Sequence, residues 1–216
     1  MTIAGASKTV EIGIRKLGGI LAVPDGASGI VIFAHGSGSS RFSPRNTFVA
    51  ETLRQRGFAT LLFDLLSESE ALNRRNVFDI PLLGERVAEA VEWARGQDGT
   101  KGLPIGLFGA STGAAAALVA AAELPDKVGA VVSRGGRPDL AGQALFRVAA
   151  PTLLIVGGHD YEVIDLNREA QAMMRCETRL AIVPGATHLF EEEGTLEQVV
   201  DLAGAWFADH LPAPAA

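Results

Sequence analysis

The segment Gly109-Ala-Ser111-Thr-Gly113 sets a hydroxyl between two glycines in the pattern Gly-x-Ser-x-Gly. The apolar run 103–108 before it predicts a buried strand, and the alanine-rich block 114–123 after it has strong helix composition. Strand, tight turn and helix in this order form a nucleophile elbow, in which a strained turn exposes the serine at the end of a sheet. The glycines leave room where the turn passes close to its own helix. Ser111 is therefore the candidate nucleophile.

A serine hydroxyl is a weak nucleophile at neutral pH and needs a base that a third group orients. Three histidines follow Ser111 in the chain: His159, His188 and His210. His188 comes just after the last predicted strand, in a loop that can reach back over the sheet, and we take it as the base. His210 is predicted to face solvent near the end of the closing helix. His159 directly precedes the best acid candidate and is expected to point elsewhere.

The orienting acid should follow a strand between the serine and the histidine. Asp160 does so, because it follows the apolar run 152–156 and a turn of two glycines. Its carboxylate would hold the tautomer of His188 and stabilise the imidazolium. The other aspartates of this stretch are better explained as helix caps or solvated carboxylates; they are Asp126, Asp139 and Asp165.

An oxyanion hole needs backbone N–H groups aimed at the developing alkoxide. We expect one from Thr112, directly after the nucleophile, and a second from Ser37 in the glycine- and serine-rich loop 35–40. His35, at the start of that loop, lies on the far side of the nucleophile from His188. We therefore expect His35 to hold the loop in shape by hydrogen bonding.

These residues must be positioned by alternating strands and helices. The predicted strands cover 9–14, 19–23, 30–34, 58–63, 103–108, 128–133, 152–156 and 179–183, and the predicted helices cover 46–56, 82–93, 114–123, 167–174 and 195–210. Such alternation predicts an α/β fold with a mostly parallel, doubly wound sheet and helices on both faces. Ligand sites lie at the carboxyl ends of strands in such sheets, where the loops at 35–40, 109–113, 134–138 and 157–160 fall.

Composition sets the class of protein. The 216 residues fit one α/β domain, 1–216, and 48% hydrophobic with 20% charged residues describes an ordinary globular chain. A formal charge of −6 argues against nucleic acid or an anionic membrane as partner. One cysteine, no visible signal peptide and no membrane-length apolar stretch predict a cytoplasmic protein. No cofactor or metal is expected, and the oligomeric state stays open.

Four segments together resemble the α/β-hydrolase superfamily, and within it the small dienelactone-hydrolase-like branch. They are His35-Gly-Ser-Gly38, the elbow at 109–113, Gly157-Gly-His-Asp160 and Pro184-Gly-Ala-Thr-His-Leu-Phe190. The resemblance runs from about residue 19 onward and implies an α/β-hydrolase fold, a Ser111–His188–Asp160 triad and ester-type acyl transfer. Dienelactone hydrolase proper is known for a cysteine nucleophile, so the serine here favours a general esterase. No long insertion precedes Asp160, so no lid domain is expected.

The favoured function is a serine carboxylesterase that acts on small soluble esters through an acyl-enzyme. Other substrates of the same serine stay open: a lactone, a dienelactone-like compound or a phosphotriester. A different class is a non-catalytic α/β-hydrolase-fold protein that binds a small ligand in the same pocket. Because no member of the triad is missing, catalysis is favoured.

Three arginines are placed near the mouth of the predicted site. Arg134 ends the strand beside the elbow strand, and Arg41 and Arg45 follow the oxyanion loop. A guanidinium binds a carboxylate bidentately, and the resemblance implies an acidic substrate. The alternative is that the arginines pair with acids such as Asp64 or Asp79 and brace the loops.

Overall fold

The fold is described from a computed structural model, which covers residues 7–211. Its eight strands are β1 (Lys8–Ile12), β2 (Leu17–Ala22), β3 (Gly29–Ala34), β4 (Phe58–Phe63), β5 (Ile105–Ala110), β6 (Ala130–Arg134), β7 (Thr152–Gly157) and β8 (Thr178–Val183). They form one sheet in the order β1-β2-β4-β3-β5-β6-β7-β8. β2 pairs antiparallel with β1 and with β4, and every later pairing is parallel. The mostly parallel α/β sheet is confirmed.

The helices follow the strands. They are α1 (Pro44–Gln55), α2 (Glu68–Ala71), α3 (Arg74–Val77), α4 (Ile80–Arg95), α5 (Thr112–Glu123), α6 (Tyr161–Met173) and α7 (Thr195–His210), with a 3₁₀ segment at Pro138–Arg147. That 3₁₀ segment is kinked at Gly142, and it is all the helical structure that separates β6 from β7. The expected absence of a lid at this place is confirmed for the described chain.

Helices cover both faces of the sheet. Val31 and Phe33 pack on one face with apolar residues of α1 and α7, whereas Ile30 and Ile32 pack on the other with α4 and α5. All six residues of β3 are buried, as are all six of β5. Strands covered on both sides have to be apolar throughout, which explains the uninterrupted runs in the sequence. The carboxyl ends of the central strands therefore meet at one protected edge.

Two of the differences from the sequence prediction concern α6 and His210. α6 begins at Tyr161, six residues earlier than the predicted helix, because Asp160 itself stands at its N-cap position. The prediction that His210 faces solvent is wrong. Its ring stacks on Trp206 with centroids 4.1 Å apart, and only 16% of its side chain is exposed.

Across residues 7–211, every helix is too short or too polar to cross a membrane. The same residues contain no group of three metal-ligating side chains close enough to hold an ion.

Candidate active site

Ser111 occupies the sharp turn between β5 and α5. β5 ends at Ala110 and α5 begins at Thr112, so one residue makes the whole connection. Its backbone has φ 51° and ψ −123°, a conformation that side-chain-bearing residues rarely adopt. Such strain costs about 1–3 kcal/mol and persists only where the surrounding structure enforces it. The chain therefore holds this serine in a costly conformation at the carboxyl edge of the sheet.

The two glycines of the elbow make room for different neighbours. A Cβ on Gly109 would lie 2.4 Å from Cα of Ala114, in the helix that follows the turn. A Cβ on Gly113 would lie 2.2 Å from the carbonyl oxygen of Ala34, at the end of β3. Gly109 thus relieves contact with its own helix, as the sequence indicates, whereas Gly113 allows α5 to approach the neighbouring strand.

The strain at Ser111 predicts the relative stability of two variants. We expect Ser111→Gly to have a free energy of unfolding about 1 kcal/mol higher than Ser111→Ala, because glycine adopts this conformation without steric cost. The measurement is chemical denaturation of both variants. Ala205→Gly, at an exposed helical position, is the control and should lose about 1 kcal/mol instead. Equal stability of the two Ser111 variants would contradict strain at the elbow.

Asp160 and His188 meet, although 28 residues separate them in the chain. Nδ1 of His188 lies 2.6 Å from Oδ2 of Asp160, which is a short, charge-assisted hydrogen bond. A carboxylate only accepts, so Nδ1 carries the proton and Nε2 is left free. Asp160 makes no capping bond with its side chain to α6, although it stands at the N-cap. Its carboxylate is committed to the histidine instead.

Backbone contacts and side chains fix the loop that carries His188. The amide of Gly158 donates to Val183 at 2.8 Å, and the amide of His159 donates to Ala186 at 2.9 Å, so the loops after β7 and β8 are bonded to each other. Glu192 accepts hydrogen bonds from the hydroxyl and the amide of Thr187, and these bonds lower the pKa of the Glu192 carboxyl. The residue before His188 is therefore held at a fixed place.

A cavity of about 250 Å³ brings the predicted nucleophile and base to the same space. Ser111 and His188 both line it, together with Gly36 and Ser37 of the loop after β3. Within residues 7–211, Oγ of Ser111 makes no hydrogen bond to the imidazole. Catalytic hydrogen bonds of this kind are often long before substrate binds. The structure thus joins Asp160 to His188 directly and brings Ser111 and His188 to the wall of one cavity.

The two predicted oxyanion donors differ in their surroundings. The amide of Thr112 begins α5, and it has no acceptor among the described residues. The amide of Ser37 donates to Oγ1 of Thr112 at 2.9 Å. A substrate oxyanion would have to compete with that hydroxyl for the Ser37 amide. The oxyanion hole therefore stays a prediction for both amides.

His35 has the structural role that the sequence indicates. Its Nε2 accepts a hydrogen bond from the amide of Leu65 at 3.1 Å, so the proton is on Nδ1, which donates to the carbonyl of Gly36 at 3.0 Å. Burial lowers the pKa of this imidazole, which favours the neutral form that the two bonds require. His35 joins the loop after β3 to the loop after β4.

The three arginines separate into different environments. Arg41 pairs with the carboxylate of Asp64 and lines a neighbouring cavity of about 650 Å³, which does not contain Ser111. Arg45 and Arg134 both line the Ser111 cavity. Arg45 pairs with Glu191 at 2.9 Å. Arg41 is thus paired outside the Ser111 cavity, whereas the other two line it.

Asn46 is a site residue that the sequence analysis missed. It is 2% exposed, and its Oδ1 accepts a hydrogen bond from Arg134 at 3.1 Å. The spacing in the sequence could have indicated its burial. Asn46 precedes Val49, Ala50 and Leu53 by three, four and seven residues, and these four residues form the buried stripe of α1. A polar residue on an apolar stripe needs a buried partner.

The family model of dienelactone hydrolases matches residues 17–205. The chain belongs to the dienelactone hydrolase family. A solved relative supports this: the dienelactone hydrolase of Anabaena variabilis ATCC 29413 is 55% identical, with a TM-score of 0.91 over 95% of this chain and 97% of that one. The resemblance to the α/β-hydrolase superfamily is thereby confirmed.

Two further comparisons say less about function, because one relative shares only the fold and the others are much longer than this chain. Est1E from Butyrivibrio proteoclasticus shares the fold, with 17% identity and a TM-score of 0.79 over 95% of this chain and 99% of that one. Proteins named "Putative phosphoribosyl transferase" from two strains of Mycobacterium tuberculosis are 61% identical over 205 residues, which is 95% of this chain. The chain described here spans only 46% of the length of these mycobacterial proteins.

Proposed function

We propose that this protein is a serine carboxylesterase that hydrolyses small soluble esters through an acyl-enzyme on Ser111. The observation that carries the proposal is the 2.6 Å bond from Asp160 to His188, which lines the same cavity as the strained Ser111. A bond to Nδ1 fixes the imidazole with Nε2 unprotonated, which is the form that a general base needs. Membership of a hydrolase family supports the same chemistry.

The proposed reaction has two halves. Nε2 of His188 takes the proton of Ser111 while Oγ attacks the ester carbonyl, and the tetrahedral oxyanion is stabilised by the amides of Thr112 and Ser37. The carbon–oxygen bond to the alcohol then breaks, and His188 returns the proton to the leaving oxygen. Water, deprotonated by His188, attacks the acyl-enzyme, releases the acid and restores Ser111. Asp160 stabilises the imidazolium in both halves. The residues need no cofactor for these steps.

The size of the cavity predicts a preference for short acyl chains. A space of about 250 Å³, with no lid domain over it among residues 7–211, offers little apolar wall to a long chain. Each methylene gains about 0.8 kcal/mol only when it is buried. We expect kcat/KM to be highest for acetate to butyrate esters and to fall beyond them, measured with 4-nitrophenyl esters from acetate to palmitate. A steady rise to palmitate would contradict this assignment of the acyl site.

The same serine could attack a lactone, a dienelactone-like compound or a phosphotriester, and a non-catalytic binding protein could share the fold. One experiment separates these outcomes: purified protein is incubated with a fluorophosphonate probe and with short esters, lactones and a phosphotriester. Esterase function predicts labelling at Ser111 and turnover highest on esters. Labelling of Ser111 with turnover only of a lactone or a phosphotriester would reassign the substrate class. The absence of both labelling and turnover would support a binding protein.

The name of the longer mycobacterial relatives does not change this proposal. The matched region is less than half of each of them, so their named activity does not have to belong to that region. The cytoplasmic location expected from the sequence is part of the proposal, and the single cysteine suits a reducing compartment.

A further inference from the structure

The backbone of the loop at 134–137 is bonded to both sides of the predicted nucleophile. The amide of Ser111 donates to the carbonyl of Arg134 at 3.3 Å, and the amide of Arg137 donates to the carbonyl of Ser111 at 3.1 Å. Ser111 is the residue with φ 51° and ψ −123°, and such a conformation persists only where the surrounding structure enforces it. The loop at 134–137 is therefore part of the structure that enforces the strained elbow.

The same loop also contacts the residue that we take as the base. Gly135 has φ 53°, and a Cβ added to it would lie 2.9 Å from the carbonyl oxygen of His188. The amide of Gly135 donates to the carbonyl of Ile155 in β7 at 2.8 Å, and both Gly135 and Gly136 are buried. Glycine loses more conformational freedom on folding than any other residue. A loop with two adjacent glycines therefore needs contacts from outside to hold one conformation.

Asn167 supplies such a contact from α6. Its side chain is fully buried, and its Nδ2 donates to the carbonyl of Gly136 at 3.0 Å and to the carbonyl of Val163, one turn earlier in α6, at 2.8 Å. Oδ1 of Asn167 is buried and has no hydrogen-bond partner among the described residues. An apolar side chain of the same shape would avoid the unfavourable burial of that oxygen. What the asparagine supplies, and an apolar residue could not, is the bond to Gly136.

The helix that carries Asn167 also begins at the predicted orienting acid. Asp160 stands at the N-cap of α6, seven residues before Asn167, which is about 10 Å along the helix axis. One helix thus carries the carboxylate that is bonded to His188 and the amide that is bonded to the elbow loop. Any change at Asn167 would therefore alter how the elbow is placed relative to the acid and the base.

We propose that Asn167 is a positioning residue, which fixes the loop at 134–137 from α6 and so holds Ser111 at the place that acyl transfer requires. This rests on the proposed function, because the place of Ser111 affects the rate only if Ser111 is the nucleophile. Asn167 does not line the Ser111 cavity and acts through the backbone of Gly136 and Arg137. The alternative is that Asn167 only fills space between α6 and the sheet.

The first test compares two substitutions in α6. Asn167→Leu keeps the shape of the side chain and removes both donated bonds. Met173→Ala is the matched control, because Met173 packs against the core at the other end of α6, about 9 Å beyond Asn167. We expect Asn167→Leu to lower kcat on 4-nitrophenyl acetate about 10- to 100-fold with KM within about twofold, because a displacement of about 1 Å can cost 10²-fold. Met173→Ala should lower the unfolding temperature and leave kcat within about twofold.

The second test measures the strain at Ser111 and does not depend on hydrolysis. Ser111→Gly and Ser111→Ala are each combined with Asn167→Leu, and the midpoints of denaturant unfolding are compared. With Asn167 in place, the glycine variant should have the higher midpoint. Without the bond to Gly136 the elbow can relax, and we expect the difference between the two midpoints to fall to less than half. Met173→Ala in the same combinations should leave the difference unchanged. Asn167→Ala replaces the leucine variant in both tests if that variant does not fold.

The outcomes separate this proposal from the proposed function. If an ester is hydrolysed but Asn167→Leu behaves like Met173→Ala in both tests, Asn167 is a core residue only and the esterase stands. If no ester is hydrolysed but Asn167→Leu reduces the difference between the Ser111 variants, the link from Asn167 to the elbow stands and the esterase is wrong. A loss of activity that is chiefly in KM, or that leaves the strain difference intact, would reject positioning of the elbow.

Discussion

Replacing Ser111 by alanine should lower kcat for a short ester by about 10⁶-fold, the loss found when a serine nucleophile is removed from a complete triad. The reason is that Oγ of Ser111 forms the covalent bond to the acyl group, and Asp160 and His188 have nothing to activate without it. Alanine keeps the backbone strain of the elbow, so the fold should be unchanged. The measurement is the steady-state rate on 4-nitrophenyl acetate, with circular dichroism to verify folding.

The matched control is Ser39→Ala. Ser39 lines the same cavity with an exposed side chain but lies in the loop after β3 and not at the elbow, so its removal should leave kcat within about a factor of three. If folded Ser111→Ala keeps near-normal turnover, Ser111 is not the nucleophile. A loss as large for Ser39→Ala would mean that the cavity, not one hydroxyl, had been disturbed.

Replacing Asp160 by asparagine should lower kcat by about 10⁴-fold. The 2.6 Å bond to Nδ1 of His188 depends on a carboxylate that only accepts. An amide can offer an N–H to Nδ1, which places the imidazole proton on Nε2 and blocks the base. The measurement is kcat on the same ester, with burst kinetics to show whether acylation is the step that slows.

Asp165→Asn is the control for this prediction. Asp165 lies on the same helix, α6, one turn beyond its start, and its carboxylate makes an exposed ion pair with Arg168 at 3.1 Å. Exposed pairs contribute about 0–1 kcal/mol, so activity should be nearly unchanged. A large loss in Asp165→Asn together with near-normal activity in Asp160→Asn would reject Asp160 as the orienting acid.

Much of the site could be predicted because its signals are local in the chain. Glycines two residues before and after Ser111, between an apolar run and an alanine-rich block, predict the elbow. Parallel strands buried on both faces have to be apolar, so the central strands were visible as well. Once the strands are known, their carboxyl ends share one edge, which predicts that Asp160 and His188 meet there.

Contacts between long side chains from distant elements could not be predicted in this way. The sequence gives no reason to distinguish the three arginines near the site. In the structure, Arg41 pairs with Asp64 and Arg45 pairs with Glu191. Arg134 bonds to Asn46 and pairs with no carboxylate in the described chain. A guanidinium can reach several acids, and the choice depends on separations of an ångström or two between elements. Those separations are set by packing.

The same limit applies to the donors around Ser111. The order of strands and loops in the sequence is enough to predict that Ser37 and Thr112 lie at the same sheet edge. The hydrogen bond from the Ser37 amide to the Thr112 hydroxyl, across 75 positions of the chain, is visible only in the folded protein. The same is true of the buried hydrogen bond from Arg134 to Asn46, 88 positions away. Periodicity and turn chemistry act over a few residues and define elements, whereas hydrogen bonds between elements require the packed core that fixes their distance.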